Sequence, residues 1–152
     1  MRLTRSFSIE QLVYSETAER ERIDNTPASD ALENLEMLAQ GLERVQALTG
    51  HPLEISSAYR CPELNQRVGG TSLSQHTLGQ AADFTCSAFG PPVEIIKAIR
   101  DSDIEFDQCI LEYARWVHIS FSRMPRGKVL TIYDPEVGYL DGLCKADGTQ
   151  IA

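Results

Sequence analysis

Two of the three histidines in this chain stand in segments that could together bind a metal ion. His76 lies in a loop rich in Ser, Thr and Gly, upstream of Asp83, and His118 follows the pair Trp116-Val117. Two imidazoles and one carboxylate are the protein ligands of an open catalytic zinc site, which keeps its fourth position for water. The spacing differs from His-Glu-x-x-His, in which both histidines lie one helical turn apart. The fold must therefore bring these side chains together from separate segments.

Each of the three residues also has an ordinary structural interpretation. His76 alone would be a solvent-exposed loop histidine, and His118 alone a hydrogen-bonded histidine of a strand. Asp83 is harder to explain in this way, since the segment Ala81–Cys86 is otherwise mostly apolar and should be buried. A buried carboxylate must be paired or bound to a metal. The trio therefore favours a metal site more strongly than any one of its members.

The segment Trp116–Phe121 alternates like a strand with one buried face. Alternate side chains of a strand point to opposite faces, so its apolar residues should face the core. The other face would then combine an indole, an imidazole and a hydroxyl, which come from Trp116, His118 and Ser120. That combination suits the wall of a pocket, where Trp116 could flank a substrate or simply pack.

Two further charged residues could complete a hydrolytic site. Arg60 follows a predicted strand, where its guanidinium could hold a carboxylate or an oxyanion, or could be an ordinary surface group. Glu112 ends the strand before a predicted hairpin whose second strand carries His118. A carboxylate there could move the proton of a zinc-bound water, or could be a polar residue at a hairpin corner.

Hydrophobic periodicity and turn residues indicate the elements that position these groups. The predicted helices are Ser8–Tyr14, Ser29–Leu48 ended by Gly50, a turn from Pro62 to Gly69-Gly70, and Val93–Arg100, with the polar stretch Ser15–Asn25 between the first two. The predicted strands are Leu53–Ser57, Ala81–Cys86, Phe106–Glu112, Trp116–Phe121 and an edge strand at Val129–Tyr133, with a hairpin turn at Tyr113-Ala114-Arg115.

Helices first and strands afterwards predict a small α+β domain with a mostly antiparallel sheet and helices packed on one side. We expect the 152 residues to form one domain. It would comprise a helical lead-in over 1–50, a catalytic core over 51–133, and a C-terminal tail over 134–152 that has no clear periodicity.

The composition limits partners and location. A formal net charge of −8 argues against nucleic acid as a partner and leaves no basic patch for anionic lipid. No apolar run approaches the roughly 20 residues of a transmembrane helix. The N-terminus has charge but no apolar signal-peptide core, so we expect synthesis in a cytoplasm, although release by lysis would leave no mark. The four cysteines form no C-x-x-C pair, and we expect reduced thiols.

The site residues belong to a longer combined motif. It runs through Ser57–Arg60, Leu64-Asn65 with Gly69-Gly70, Ser74–His76 with Gly79, Ala81 and Asp83, and Trp116–His118. This motif resembles the zinc D-Ala-D-Ala carboxypeptidase family, and within it the branch of small peptidases that includes phage endolysins. The likeness extends from Phe7 to Phe121. It implies a fold shared with the hedgehog signalling domain and the vancomycin-resistance dipeptidases.

The resemblance also implies roles for individual residues. The ligands of one Zn²⁺ would be His76, Asp83 and His118. Arg60 would steady the scissile carbonyl as it becomes an oxyanion, and Ser74 would line the substrate site.

The general base is where the chain departs from the family pattern. Many members carry the catalytic carboxylate three residues before the last histidine, and Arg115 stands there in this chain. The resemblance to the endolysin-like subset implies that Glu112 takes this role, with Asp107 as a weaker candidate.

The function implied is metal-assisted hydrolysis of a peptide bond in peptidoglycan stem peptides, by a monomeric enzyme. A carboxypeptidase that releases terminal D-Ala and an endopeptidase that cuts L-Ala-D-Glu bonds both remain open. The alternative from another class is a non-catalytic, zinc-stabilised binding or virion structural domain, since the hedgehog domain resembles these peptidases yet acts as a binding module.

Overall fold

Five helices and six strands make up the computed structural model, which describes all residues from 1 to 152. The helices are α1 (Ile9–Val13), α2 (Glu16–Glu21), α3 (Ser29–Thr49), α4 (Pro62–Arg67) and α5 (Pro92–Arg100). The strands are β1 (Glu54–Ser57), β2 (Ala81–Thr85), β3 (Gln108–Glu112), β4 (Trp116–Ser120), β5 (Lys128–Ile132) and β6 (Leu140–Asp141).

Capping residues set the ends of the helices. The hydroxyl of Ser8 accepts a hydrogen bond from the backbone N–H of Gln11 at 3.2 Å and so caps α1. Ser15 caps α2 in the same way, through the N–H of Ala18 at 3.2 Å. Gly50 ends α3 in the left-handed conformation, at a φ of 71°. The predicted start of α1 and end of α3 are therefore confirmed.

Helix α2 lies in the polar stretch Ser15–Asn25, for which the sequence analysis predicted no helix. Its residues Glu16–Glu21 carry no apolar stripe, so periodicity gave no signal. Besides its cap, the helix is held by a small buried cluster in which Ala18 and Ile23 join Leu64 of α4. Tertiary packing thus stabilises a helix that its own sequence pattern does not indicate.

The six strands form one sheet in the order β1-β2-β4-β3-β5-β6. All neighbours are antiparallel except β3 and β5, which run parallel. The predicted α+β class with a mostly antiparallel sheet is confirmed.

The prediction of an edge strand at Val129–Tyr133 is wrong. The observed strand β5 lies between β3 and β6 and is therefore internal. The reason is that the C-terminal tail turns back and pairs with it: the N–H of Gly142 donates to the carbonyl of Val129 at 2.8 Å. The hydroxyl of Thr131 in turn donates to the carbonyl of Gly142, also at 2.8 Å.

The main core of 24 buried residues lies on one face of the sheet, where α3 and α5 pack. Strand β4 alternates as predicted, since Val117 and Ile119 belong to this core while His118 faces the other side with Trp116. The helical lead-in takes part in the same core through Phe7 and the leucines of α3. The opposite face of the sheet is left to carry the candidate site.

Helix α3 approaches the end of β4 closely because one of its residues lacks a side chain. Gly41 is buried, and a Cβ built on it would lie 2.4 Å from the aromatic ring of Phe121. The guanidinium carbon of Arg44 lies over the same ring, 5.9 Å from its centre. Phe121 therefore fills the space that an ordinary residue at 41 would need.

All four cysteines are free. No helix of the structure combines the length and the apolar character needed to cross a membrane.

Candidate active site

Two neighbouring strands place Asp83 and His118 against each other. The residues are paired across β2 and β4, and Nδ1 of His118 lies 2.9 Å from Oδ1 of Asp83. His76 comes from the loop before β2, and its Nε2 lies 3.3 Å from the same carboxylate oxygen. The three side chains are buried, with exposed fractions of 3%, 8% and 8% for His76, Asp83 and His118. They bring one ligand atom each to within 4.8 Å of one another.

The ring of His76 is oriented by the backbone. Its Nδ1 lies 2.6 Å from the carbonyl oxygen of Ala58. Since a carbonyl can only accept, Nδ1 carries the hydrogen and Nε2 keeps its lone pair on the side of Asp83. Metal-ligating histidines characteristically use their second nitrogen in this way, to fix tautomer and ring orientation.

The charges of the group are coupled. Burial by itself would raise the pKa of Asp83, but the hydrogen bond from His118 holds that pKa well below its usual range. Burial would lower the pKa of His118, yet its bond to Asp83 outweighs this and raises that pKa above the ordinary value. The carboxylate is therefore ionised, and the proton on His118 is the one that a metal ion would have to displace.

The donor set fits zinc. Zinc binds imidazole nitrogen and carboxylate oxygen at about 2.0–2.1 Å in tetrahedral geometry, which separates neighbouring donor atoms by about 3.3 Å. The observed separations of 2.9 Å and 3.3 Å around Oδ1 of Asp83 are close to that value. His76, Asp83 and His118 could thus hold one ion.

Arg60 lies beside this group, just beyond β1, and its side chain lines the same cleft. One terminal nitrogen, Nη2, is 3.4 Å from the hydroxyl of Ser74, while the buried Nε has no hydrogen-bond partner. Burial lowers the pKa of Arg60, and the carboxylates of Asp83 and Glu112 oppose that change. The guanidinium thus remains a cation with an unused donor.

The backbone around Arg60 is held by a residue that the sequence analysis did not identify. Buried Asn25 donates from Nδ2 to the carbonyls of Val13, at 2.8 Å, and Tyr59, at 3.1 Å. Its Oδ1 accepts from the N–H of Cys61 at 2.7 Å. These bonds fix the residues on both sides of Arg60, and nothing in the local pattern around Asn25 signals this role.

Ser74 connects the arginine with the histidine loop. Its hydroxyl accepts the backbone N–H of His76 at 3.2 Å and faces Arg60. Ser74 also lines the cleft. Its predicted contact with a substrate stays a prediction.

Glu112 and Trp116 line the same cleft and are hydrogen-bonded to each other. They are paired across the hairpin of β3 and β4, and the indole N–H of Trp116 donates to Oε1 of Glu112 at 2.7 Å. Burial raises the pKa of Glu112, although His118 acts in the opposite direction. The turn between them holds Tyr113 and Ala114 at φ of 58° and 55°, a left-handed conformation that is uncommon for residues other than glycine.

The cleft has a volume of about 510 Å³ and is open to solvent on one side. It brings together seven residues that the sequence analysis named for the site, namely Arg60, Ser74, His76, Asp83, Glu112, Trp116 and His118, whereas Ser120, predicted on the same wall, does not line it. Arg115 is exposed and does not line it. Two residues of the chain beyond β4, Arg126 and Tyr139, line the cleft without having been predicted to do so.

Asp107 does not line the cleft, and its carboxylate is fully engaged elsewhere. Arg126 donates to it from Nε and Nη2, both at 2.8 Å, and from its backbone N–H at 3.0 Å. Gln75, next to His76, donates at 2.8 Å. The bonds from Arg126 and Gln75 lower the pKa of Asp107 to about 2, against the effect of burial. Asp107 thus ties the histidine loop to the start of β5.

A buried pair of imidazoles with a carboxylate, set in an open cleft beside an arginine and a second carboxylate, is the arrangement of a zinc-dependent hydrolase. The sequence model of peptidase M15 matches residues 5–120. The chain belongs to this family of zinc peptidases. No curated protein matches the sequence.

Proposed function

We propose that the chain is a zinc-dependent peptidase that hydrolyses stem peptides of peptidoglycan. The observation that carries the proposal is that the metal-binding group His76, Asp83 and His118 lines one cleft together with Arg60 and Glu112. Metal ligands, an oxyanion-stabilising cation and a proton-transferring carboxylate are the groups that peptide hydrolysis needs.

Each group has a definite task. When bound, zinc would polarise the scissile carbonyl and acidify the attacking water. Glu112 accepts the proton of that water as the new C–O bond forms, and passes it to the amine nitrogen as the C–N bond breaks. A raised pKa suits a carboxylate that must both take and return a proton. The N–H of Trp116 keeps Glu112 in place, and the guanidinium of Arg60, which lines the cleft, stabilises the oxyanion.

The charge distribution supports a peptide that carries carboxylates. The chain has a formal net charge of −8, yet the cleft contains the guanidinium of Arg60, which forms no ion pair. Arg126 also lines the cleft, but its charge is paired with Asp107. Stem peptides carry carboxylates on their D-Glu residue and at their terminus. Both a D-Ala-D-Ala carboxypeptidase and an L-Ala-D-Glu endopeptidase would use the cation of Arg60.

The non-catalytic alternative, a zinc-stabilised binding or virion structural domain, is less well supported. Such a domain needs the metal ligands but neither a proton-transferring carboxylate nor an unpaired arginine. Glu112 and Arg60 both line the cleft, on opposite sides of the metal-binding group. Their joint presence favours the enzyme.

The test combines metal analysis with digestion of a purified disaccharide-pentapeptide muropeptide, followed by mass spectrometry. We expect one zinc per chain and one of two products: loss of a single alanine, or separation of the peptide between L-Ala and D-Glu. A folded, zinc-loaded protein that leaves this muropeptide and cross-linked wall fragments intact would overturn the proposal.

A further inference from the structure

Tyr139 belongs to a part of the chain that lies beyond the family match, which covers residues 5–120. It immediately precedes β6, where Leu140 is paired with Thr131 of β5. Extending this register by one residue places Tyr139 opposite Ile132. Ile132 is in turn paired with Glu112 of β3. In the sheet, Tyr139 therefore lies level with Glu112, the proposed general base.

The side chain of Tyr139 is on the face of the sheet that bears the site. Ile132 forms a small buried cluster with Ile110 and Leu130, which alternate with core residues and so share the face of Glu112. A residue opposite Ile132 points to that same face. Consistent with this, Tyr139 lines the cleft while 57% of it remains exposed to solvent.

The segment that presents Tyr139 is firmly attached. The hydroxyl of Thr131 bonds to both sides of the turn after β6, donating to the carbonyl of Gly142 at 2.8 Å and accepting from the N–H of Cys144 at 3.0 Å. The hydroxyl of Tyr133 donates to the carbonyl of Cys144 at 2.7 Å. These hydrogen bonds fix the segment that follows Tyr139 to the residues of β5 and its end.

The order of the strands sets the order of the site residues across the sheet. From one edge to the other these residues are Arg60 just beyond β1, Asp83 on β2, His118 on β4, Glu112 on β3 and Tyr139 just before β6. A substrate held over the metal-binding group therefore meets Arg60 on one side and Tyr139 on the other. Glu112 returns its proton to the leaving amine, so the leaving half of the substrate lies on the side of Tyr139.

We propose that Tyr139 binds the leaving half of the substrate, by donating its phenolic hydrogen to a carbonyl or carboxylate oxygen of the residue that follows the scissile bond. This inference rests on the proposed function. Burial, together with nearby Glu112, raises the pKa of Tyr139. The phenol is therefore a neutral donor at ordinary pH, and it adds no negative charge near substrate carboxylates.

The test is Tyr139→Phe, which removes the hydroxyl and keeps the ring. We expect KM for the disaccharide-pentapeptide muropeptide to rise about tenfold, as for one lost hydrogen bond, with kcat within about twofold. Inhibition by the fragment that carries the new amino terminus, free D-alanine or the peptide beginning with D-Glu, should weaken by a similar factor. Zinc content should not change. The matched control is Tyr14→Phe, a tyrosine with the same exposed fraction that does not line the cleft, which should leave KM unchanged.

The outcomes separate the two proposals. A wild-type protein that binds zinc but cleaves nothing overturns the proposed function. Wild-type activity together with an unchanged KM and product inhibition in Tyr139→Phe overturns the role of Tyr139. A rise in KM of equal size in Tyr139→Phe and Tyr14→Phe would also overturn it, because the effect would then not come from the cleft.

Discussion

The Nδ1 atom of His118 lies 2.9 Å from Oδ1 of Asp83, and the two residues face each other across adjacent antiparallel strands. The register of β2 and β4 therefore places two of the three predicted metal ligands side by side without the help of an ion. A slip of one residue would turn one of these side chains into the apolar core. His76 then needs only a loop held in place, which Ala58 provides through its carbonyl oxygen.

Replacing His76 by alanine should remove zinc and activity together. Two ligands remain in His76→Ala, and an open site with two protein ligands binds zinc far more weakly than one with three. Zinc per chain after dialysis and the rate of muropeptide cleavage are the measurements. His51→Ala is the control, because His51 is exposed and does not line the cleft. Zinc retained in full by His76→Ala would contradict the ligand assignment.

Glu112→Gln should keep zinc and lose catalysis. The amide preserves the shape of the side chain but cannot take up a proton, and general acid-base groups contribute about 10²–10⁴-fold to the rate. We expect kcat to fall by that factor with zinc content unchanged. The exposed Glu136→Gln serves as the matched control. A Glu112→Gln enzyme within twofold of the wild type would mean that another group is the base.

Asp107→Asn should lower stability at neutral pH and flatten its acid dependence. The pKa of Asp107 is lowered from 3.8 to about 2 in the folded protein. The unfolded chain therefore binds protons more readily, so the stabilisation is complete above about pH 4 and is lost as pH falls through about 2. The shift corresponds to about 2 kcal/mol. Urea unfolding between pH 2 and pH 7 should show a smaller loss of stability in Asp107→Asn than in the wild type and in the control Asp103→Asn.

Gly41→Ala should destabilise the protein although alanine favours helices. The added methyl group would meet the ring of Phe121 at 2.4 Å, and overpacking of this kind typically costs about 1–3 kcal/mol. The gain in helix propensity is at most about 1 kcal/mol. Thermal unfolding should show a lower melting temperature, and the double variant Gly41→Ala/Phe121→Leu should recover part of it. A higher melting temperature in Gly41→Ala would show that the ring yields easily.

Periodic elements could be predicted from the sequence, whereas contacts between distant segments could not. The stripe of α3 and the alternation of β4 are local patterns, and the structure confirms both. Helix α2 depends on Leu64, far along the chain, and strand β6 depends on pairing with β5 across an irregular turn; neither left a local pattern. The site shows the same division, since residue type indicated the metal-binding trio, while the roles of Asn25 and Tyr139 follow only from the three-dimensional arrangement.

The parallel pairing of β3 with β5 has a consequence for aggregation. The family match ends with β4, so the outer neighbour of β3 comes from the chain after residue 120. A fragment ending there would expose the whole hydrogen-bonding edge of β3, together with Ile110, and such edges template pairing between molecules. In the full chain the exposed edge is instead β6, which is two residues long and ends in the charged Asp141. The last part of the chain therefore also protects the sheet from adding strands of other copies.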